Sequence, residues 1–379
     1  MITTRRALLG GLAVLPPFCA LPALARTETA DTALDTVFAA DPAPAMGAMI
    51  IGRTGVQWSA VRGVRRQGEP DAVTLDDRWH LGSNTKAMTA ALFARLVEQG
   101  RARWAMPLTE AFAHLAVDPA WAGATVDDLM HHRAGLLDAD VIGRDWLMVA
   151  RSDPAGLPQQ RDVIAARALA RPPGGPRGTF AYGNANYMLL GAVIERITGG
   201  SWEDAMRSEV FGPLGMPSAG FGPPQAGAAP RDNAWGHRAS LGRRTAMAPS
   251  DPGADNPFAL APAGMAHMTL ADYAKFIGVF LNEGDGWLTP ETLHILTTPA
   301  AGRGPGYACG WGVVQQPWAG QSGPGPMLAH EGTNTMWHAF AAVAPQRGLA
   351  VVTLANDYTT GGTGCQQLGQ RLIQISTVA

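Results

Sequence analysis

Apolar and polar positions change their rhythm twice along this chain. Near the start, Ala48-Met49-Ile50-Ile51, a turn around Gly52 to Gly55, and the run Val56 to Val64 predict a strand pair over residues 46–65. Residues 84–99 switch to helical spacing, with Leu92, Phe93, Leu96 and Val97 on one stripe and Gly100 as the stop. From 101 to about 250 the signals are helical and loop-rich. Tyr187, Leu190, Ile194 and Ile197 predict a helix ending at Gly199-Gly200. Ser201-Trp202-Glu203-Asp204 and Thr269-Leu270-Ala271-Asp272 both read as helix-initiating capping boxes. After Gly304 short strand-like runs return, Gly310 to Gln315, Trp337 to Ala344 and Leu349 to Ala355, and Cys365 to Ile375 suits a closing helix. Strands at both ends with helices between predict an α+β protein. One domain is built from residues 26–100 plus 255–379, a helical insertion covers 101–254, and the active site sits where they meet.

The first 25 residues do not belong to this pattern. Arg5-Arg6, a modest apolar run and Ala23-Leu24-Ala25 have the layout of a cleavable signal peptide, and the paired arginines point to the twin-arginine route and a periplasmic or secreted product. Pro16, Pro17 and Pro22 interrupt the run, so no membrane span is expected once the signal is removed. Cys309 and Cys365 would remain, free to pair in an oxidising compartment or to stay as two buried thiols.

Composition narrows the function classes. Of 379 residues 46% are hydrophobic and 16% charged, which gives a well-cored globular protein. A net charge of -2 with no basic block removes nucleic acid as a partner. The basic residues carry the sharpest clue: only Lys86 and Lys275 are lysine, and all the others are arginine. Lysine can lose its proton near neutral pH when desolvated and arginine effectively cannot. Lys86 stands three residues after Ser83, at the start of a predicted helix, where the two side chains share a face. A neutral lysine beside a serine hydroxyl is a nucleophile with its base. Lys275 has no such serine and reads as a surface residue.

Two further segments carry candidate chemistry. Tyr182-Gly183-Asn184 sets a phenol and a carboxamide two positions apart in a glycine-containing loop; the phenol could relay a proton if a nearby cation favoured its phenolate. His330-Glu331-Gly332-Thr333 places a glycine where a substrate can approach the backbone, so that the Thr333 N–H can serve an oxyanion. Each of these also has an ordinary reading, as a loop with a helix cap and as a strand entry. His131-His132 suggests a metal, but adjacent side chains point apart on a helix or strand, and structural histidines explain the pair better. No motif calls for a metal or another cofactor. No serine lies in Gly-x-Ser-x-Gly, and neither His-Glu-x-x-His nor a phosphate-binding loop is present.

Ser-x-x-Lys, then Tyr-x-Asn, then a basic-x-Gly element, in this order and at these separations, resembles the serine β-lactamase and penicillin-binding-protein superfamily, and the tyrosine places the chain with its class C β-lactamase-like branch. Thr125 to Leu136, Val210 to Met216 and Ala263-Gly264-Met265 resemble the same branch, so the likeness covers about residues 35–375. It implies an α/β sandwich on an antiparallel sheet with a mostly helical second domain. It further implies that Ser83 attacks a carbonyl, Lys86 and Tyr182 pass the proton to the leaving group, and Asn184 orients Lys86 and the substrate amide. The Ser83 and Thr333 N–H groups would form the oxyanion hole. The third motif departs from the family's Lys-Thr-Gly: His330 is mostly neutral at pH 7 and Glu331 adds a negative charge. Anion recognition is therefore expected to be weak, while serine acyl chemistry is retained. The resemblance implies an exported serine hydrolase that cleaves an ester or amide of a small molecule or peptide through an acyl-enzyme. Esterase-like activity is preferred over a D-amino-acid peptidase or a β-lactamase. A non-catalytic binding protein on the same fold is the reading from another class.

Overall fold

The computed structural model describes residues 28–378 except 41, 226–231, 241–242 and 303. The expected export signal lies outside the described residues.

A seven-stranded antiparallel sheet runs in the order Gly55–Gly63, Ala45–Gly52, Leu349–Ala355, His338–Ala344, Gly325–Thr333, Trp311–Gln316 and Tyr307–Ala308. The two ends of the chain meet in it, because Ala45–Gly52 pairs on one side with Gly55–Gly63 and on the other with Leu349–Ala355. His338–Ala344 and Leu349–Ala355 are buried at every position. That is why they read as unbroken apolar runs: both faces of the sheet are covered, and neither set of side chains meets water. The outer face carries the helices Ala30–Phe38 and Gly361–Val378 over a separate apolar cluster that includes Leu34, Phe340, Val351 and Leu368. The inner face opens into a larger core, shared by the sheet, the helix Thr85–Glu98 and the helix Asn184–Thr198.

The helix Thr85–Glu98 has eleven of its fourteen residues buried, so it runs through the molecule and not over its surface. The capping signals at 201 and 269 are seen as hydrogen bonds: Ser201 Oγ accepts from Asp204 N–H and Thr269 Oγ1 from Asp272 N–H. The helix Asn184–Thr198 ends as expected, with Gly199 at φ 77. Some elements depart from the reading of the sequence. The central strand Gly325–Thr333 is nine residues long where only an entry at His330 was read, and the middle of the chain includes a hairpin, Gly236–Ser240 with Arg243–Met247. No helix among the described residues is long and apolar enough to cross a membrane.

Candidate active site

Ser83 lies in a single turn, Gly82–Asn84, that leads directly into the helix Thr85–Glu98. The turn is tied down locally: Thr85 Oγ1 donates to the Gly82 carbonyl at 2.7 Å, and Asn84 Nδ2 donates to the Leu81 carbonyl at 3.1 Å. Ser83 is half-buried while its neighbours on both sides are buried, so the hydroxyl is the part of this turn that reaches the cleft. Lys86, one helical turn on, is fully buried. Its Nζ donates to Ser83 Oγ at 3.0 Å, to Asn184 Oδ1 at 2.8 Å and to the Ala263 carbonyl at 2.7 Å. All three acceptors are neutral, and no carboxylate is bonded to this ammonium. Burial therefore dominates and pulls Lys86 down to about 7, against a smaller opposing influence from the Asp138 carboxylate. The proposed base is thus held near the pH at which it can take a proton.

Tyr182 and Asn184 approach from the loop before the helix Asn184–Thr198, which starts at Gly183 with no side-chain cap of its own. The cap comes from another part of the chain: Asp138 Oδ1 accepts from Ala185 N–H at 2.8 Å. His132, at φ 56, clamps the same loop, its carbonyl accepting from Ala181 N–H at 2.9 Å and its Nδ1 from Gly183 N–H at 3.3 Å. The His132 ring lies 4.5 Å from that of Tyr182 and 4.9 Å from that of Tyr307. Burial and nearby Lys86 hold His132 well below the ordinary histidine range, so it is a neutral spacer under the phenol. Tyr182 stands beside Lys86, whose Nζ lies 4.9 Å from the ring centroid. The phenol is nevertheless pushed upward, because burial outweighs its hydrogen bond with Ser83. It therefore keeps its proton at neutral pH, and the phenolate considered from the sequence is not the form this site favours.

The third arm is the end of the strand Gly325–Thr333. Gly82 and Gly332 pack backbone to backbone. A Cβ on Gly82 would come within 2.2 Å of Thr333 N, and one on Gly332 within 2.0 Å of the Leu81 carbonyl oxygen and 2.7 Å of Ser83 N. Only glycine at both positions lets the Ser83 and Thr333 amides lie side by side, which is the layout an oxyanion hole requires. His330 is buried, with Nδ1 2.7 Å from the Glu331 carbonyl and Nε2 3.3 Å from Tyr307 Oη. Nδ1 faces an acceptor and must carry the hydrogen; Nε2 then accepts from the tyrosine. Burial first and Lys86 second hold His330 down to about 3, so it is neutral wherever the protein works. Glu331, the next residue along the strand, points to the other face, where its Oε1 accepts from Gln366 Nε2 at 2.6 Å. Its negative charge does not enter the cleft.

The structure thus brings Ser83, Lys86, Tyr182, Asn184, His330, Gly332 and Thr333 together. It adds Asn84, His132, Asp138 and Tyr307, which no local spacing marked; the only trace of them was His132, noticed as half of a histidine pair. As expected for adjacent residues, His131 points away from its neighbour, toward Asp127 and Cys309. Those three form the one group of metal-ligating types found among the described residues. The imidazole stands between its partners, Nδ1 3.4 Å from Asp127 Oδ1 and Nε2 3.8 Å from Cys309 Sγ. Nδ1 is engaged more closely by the Asp127 backbone carbonyl, at 2.9 Å. Burial opposes protonation of His131, but Cys309 and Asp127 outweigh it and raise the group to about 11. Cys309 and Cys365 are both buried and unpaired.

The chain is similar to known proteins over most of its length. A penicillin-binding protein 4 of Amycolatopsis lactamdurans is 27% identical over 311 residues, covering 78% of this chain and 76% of the relative. An unguisins hydrolase of Aspergillus campestris is 26% identical over 318 residues, 75% of this chain, which spans about half (53%) of that protein. Among solved structures, the octameric penicillin-binding protein homologue from Pyrococcus abyssi superposes with a TM-score of 0.72 at 22% identity, covering 92% of this chain and 76% of that one. The D-amino acid amidase from Ochrobactrum anthropi SV3 gives 0.69 at 19%, covering 92% and 97%. These two share the fold. The family model described as Beta-lactamase matches residues 34–373, nearly the whole described chain, and the protein belongs to that family of serine hydrolase folds.

Proposed function

We propose that this protein hydrolyses an ester or amide through an acyl-enzyme on Ser83, and that its substrates carry no carboxylate on the leaving side. The observation that carries the first part is Lys86: fully buried, bonded to Ser83 Oγ and to neutral acceptors only, and held at about 7. Neutral Lys86 takes the proton from Ser83 Oγ as that oxygen bonds to the carbonyl carbon. The resulting oxyanion is received by the Ser83 and Thr333 N–H groups. The proton then passes from Lys86, by way of the Tyr182 hydroxyl, to the leaving nitrogen or oxygen as its bond to carbon breaks. Water adds to the acyl-Ser83 ester with Lys86 again as base, releasing the acid and restoring the serine.

The second part rests on the third motif. A neutral His330 whose two nitrogens are already engaged offers no positive charge to a substrate carboxylate. Uncharged esters and amino-acid amides suit such a cleft better than penicillins or peptides ending in a free carboxylate. The D-amino acid amidase and the D-stereospecific amidohydrolase among the structural neighbours support amides with D-residues as the second class to try after short esters. The test is hydrolysis of a chromogenic short-chain ester, a D-amino-acid anilide and a chromogenic cephalosporin by wild type and Ser83→Ala. Turnover of either uncharged substrate that vanishes in Ser83→Ala, with little loss of the cephalosporin, is expected. Fast cephalosporin loss would show that the cleft manages without a cation, and unchanged hydrolysis by Ser83→Ala would remove the serine from the mechanism.

A further inference from the structure

We infer that Asp255 is a positioning residue that locks the two arms of the oxyanion hole to each other. The inference rests on the reading above, in which the Ser83 and Thr333 amides receive the oxyanion. These amides come from segments 250 positions apart in the chain, and their backbones pack together around Gly82 and Gly332. The turn's own bonds hold Ser83 and antiparallel pairing holds Thr333, which leaves the angle of one arm against the other to be set by a link between them.

That role falls to a buried hydrogen-bonded chain. Asp255 is 6% exposed. Its Oδ2 lies 2.8 Å from His80 Nε2, and its Oδ1 accepts from Asn334 Nδ2 at 3.0 Å and from Asn256 N–H at 2.8 Å. On the serine side, His80 Nδ1 accepts from Gly82 N–H at 3.1 Å, which fixes the tautomer: Nδ1 presents its lone pair, so Nε2 carries the hydrogen and donates to Asp255. On the strand side, Asn334 Oδ1 accepts from Met336 N–H at 3.1 Å and Trp337 N–H at 3.2 Å, which fixes the amide so that Nδ2 faces Asp255. The chain therefore runs Gly82, His80, Asp255, Asn334. It ends one residue before Ser83 and one residue after Thr333. Arg151 holds the far side, its Nη2 donating to the Asp255 carbonyl at 2.9 Å.

Every donor in this chain points toward the carboxylate, and only a group that accepts on both oxygens completes it. Asparagine at 255 has nearly the same shape but turns an NH₂ toward one of two donors. His80 cannot adapt by shifting its hydrogen, because Nδ1–H would then face Gly82 N–H. Asp255→Asn therefore breaks one end of the link while preserving volume. Oxyanion donors have to be held within about 0.5 Å of the productive position, and losing one outright costs on the order of 10²–10³ in kcat. Misplacing one is expected to cost less.

The experiment compares wild type, Ser83→Ala, Asp255→Asn and His80→Gln; the last keeps a donor for Asp255 but offers no acceptor to Gly82 N–H. Three quantities are read on folded protein, checked by circular dichroism: kcat and KM on the turned-over chromogenic substrate, the rate of Ser83 labelling by a fluorophosphonate, and the affinity of a boronic acid that mimics the tetrahedral state. The expected result for Asp255→Asn is kcat and labelling rate lower by about 10–100-fold, KM within about threefold, and boronate affinity falling in step with kcat/KM. If Asp255→Asn does not fold, His80→Gln carries the test, with about a tenfold loss of the same pattern. Folded variants with kcat within about threefold of wild type, or with the whole loss in KM, would overturn the inference. Failure of wild type to be labelled, or turnover surviving in Ser83→Ala, would instead overturn the acyl-enzyme reading, and this inference with it.

Discussion

Among the described residues two cations, Arg161 and Lys86, are fully buried, and their surroundings are opposite. Arg161 is enclosed by two carboxylates, Glu195 and Glu203, each paired with one of its terminal nitrogens, and its Nε donates to the Ala259 carbonyl at 3.2 Å. Lys86 has a serine, an asparagine and a backbone carbonyl. The first setting keeps a charge and the second makes a charge costly. A compensated cation stitches helices together, here through the contacts of the helix Leu157–Leu169 with Asn184–Thr198 and Trp202–Met206. An uncompensated one is a base in waiting. The choice of residue follows the same division, since guanidinium suits the permanent ion pair and an amine suits the site where the proton must leave. Lys275 completes the contrast: it is exposed and pairs with Asp272 at 2.8 Å, where an arginine would serve as well.

The comparison breaks first at Lys86. Lys86→Arg should lower kcat per folded molecule by at least about 10³-fold, because arginine remains protonated and cannot accept the Ser83 hydrogen, and the buried permanent charge should lower the melting temperature as well. A variant keeping a tenth of the wild-type rate, measured on the same substrate, would show that the charge and not the proton matters. Arg161→Met should cost stability alone. It leaves Glu195 and Glu203 buried without their partner, a loss of about 3–5 kcal/mol by denaturant unfolding, with kcat per folded molecule close to wild type. Replacing all three members with apolar residues should recover much of that loss, which would mark the triad as structural.

A smaller change sharpens the account of Lys86. Asp138 opposes the effect of burial on Lys86, and its Oδ1 caps the Asn184–Thr198 helix. Asp138→Asn keeps an acceptor for the cap and removes the negative charge. The sign follows directly: without the carboxylate the protonated amine is less favoured, so the midpoint of the rising limb of kcat/KM should move to lower pH, by roughly one unit or less. An upward shift would contradict the assignment.

What the sequence disclosed, and what it did not, divides along the same physical line. Ser83 and Lys86 were legible because their relation is local: three residues on one helical face, sharpened by the scarcity of lysine. Tyr182 and Asn184 were legible as spacing within one loop, and the terminal strands by their unbroken apolar runs. Asp138, His132, Tyr307, His80 and Asp255 were not, since each acts through a partner at least 45 positions away or through a ring stack that no periodicity encodes. The protonation state of Tyr182 was also out of reach, because it depends on how completely the loop is covered. The hairpin at 236–247 was missed for a simpler reason: Gly236–Ser240 and Arg243–Met247 are short and polar, and lack the alternation by which strands are read.

The most direct test of the central claim is the pH dependence of kcat/KM for the wild-type protein on a substrate that does not titrate between pH 5 and 10. A buried, uncompensated Lys86 predicts a rate that rises with pH through a midpoint near 7 and then levels off, because only the neutral amine can take the serine proton. A midpoint in the ordinary lysine range, near 10, or a profile with no rising limb at all, would contradict it.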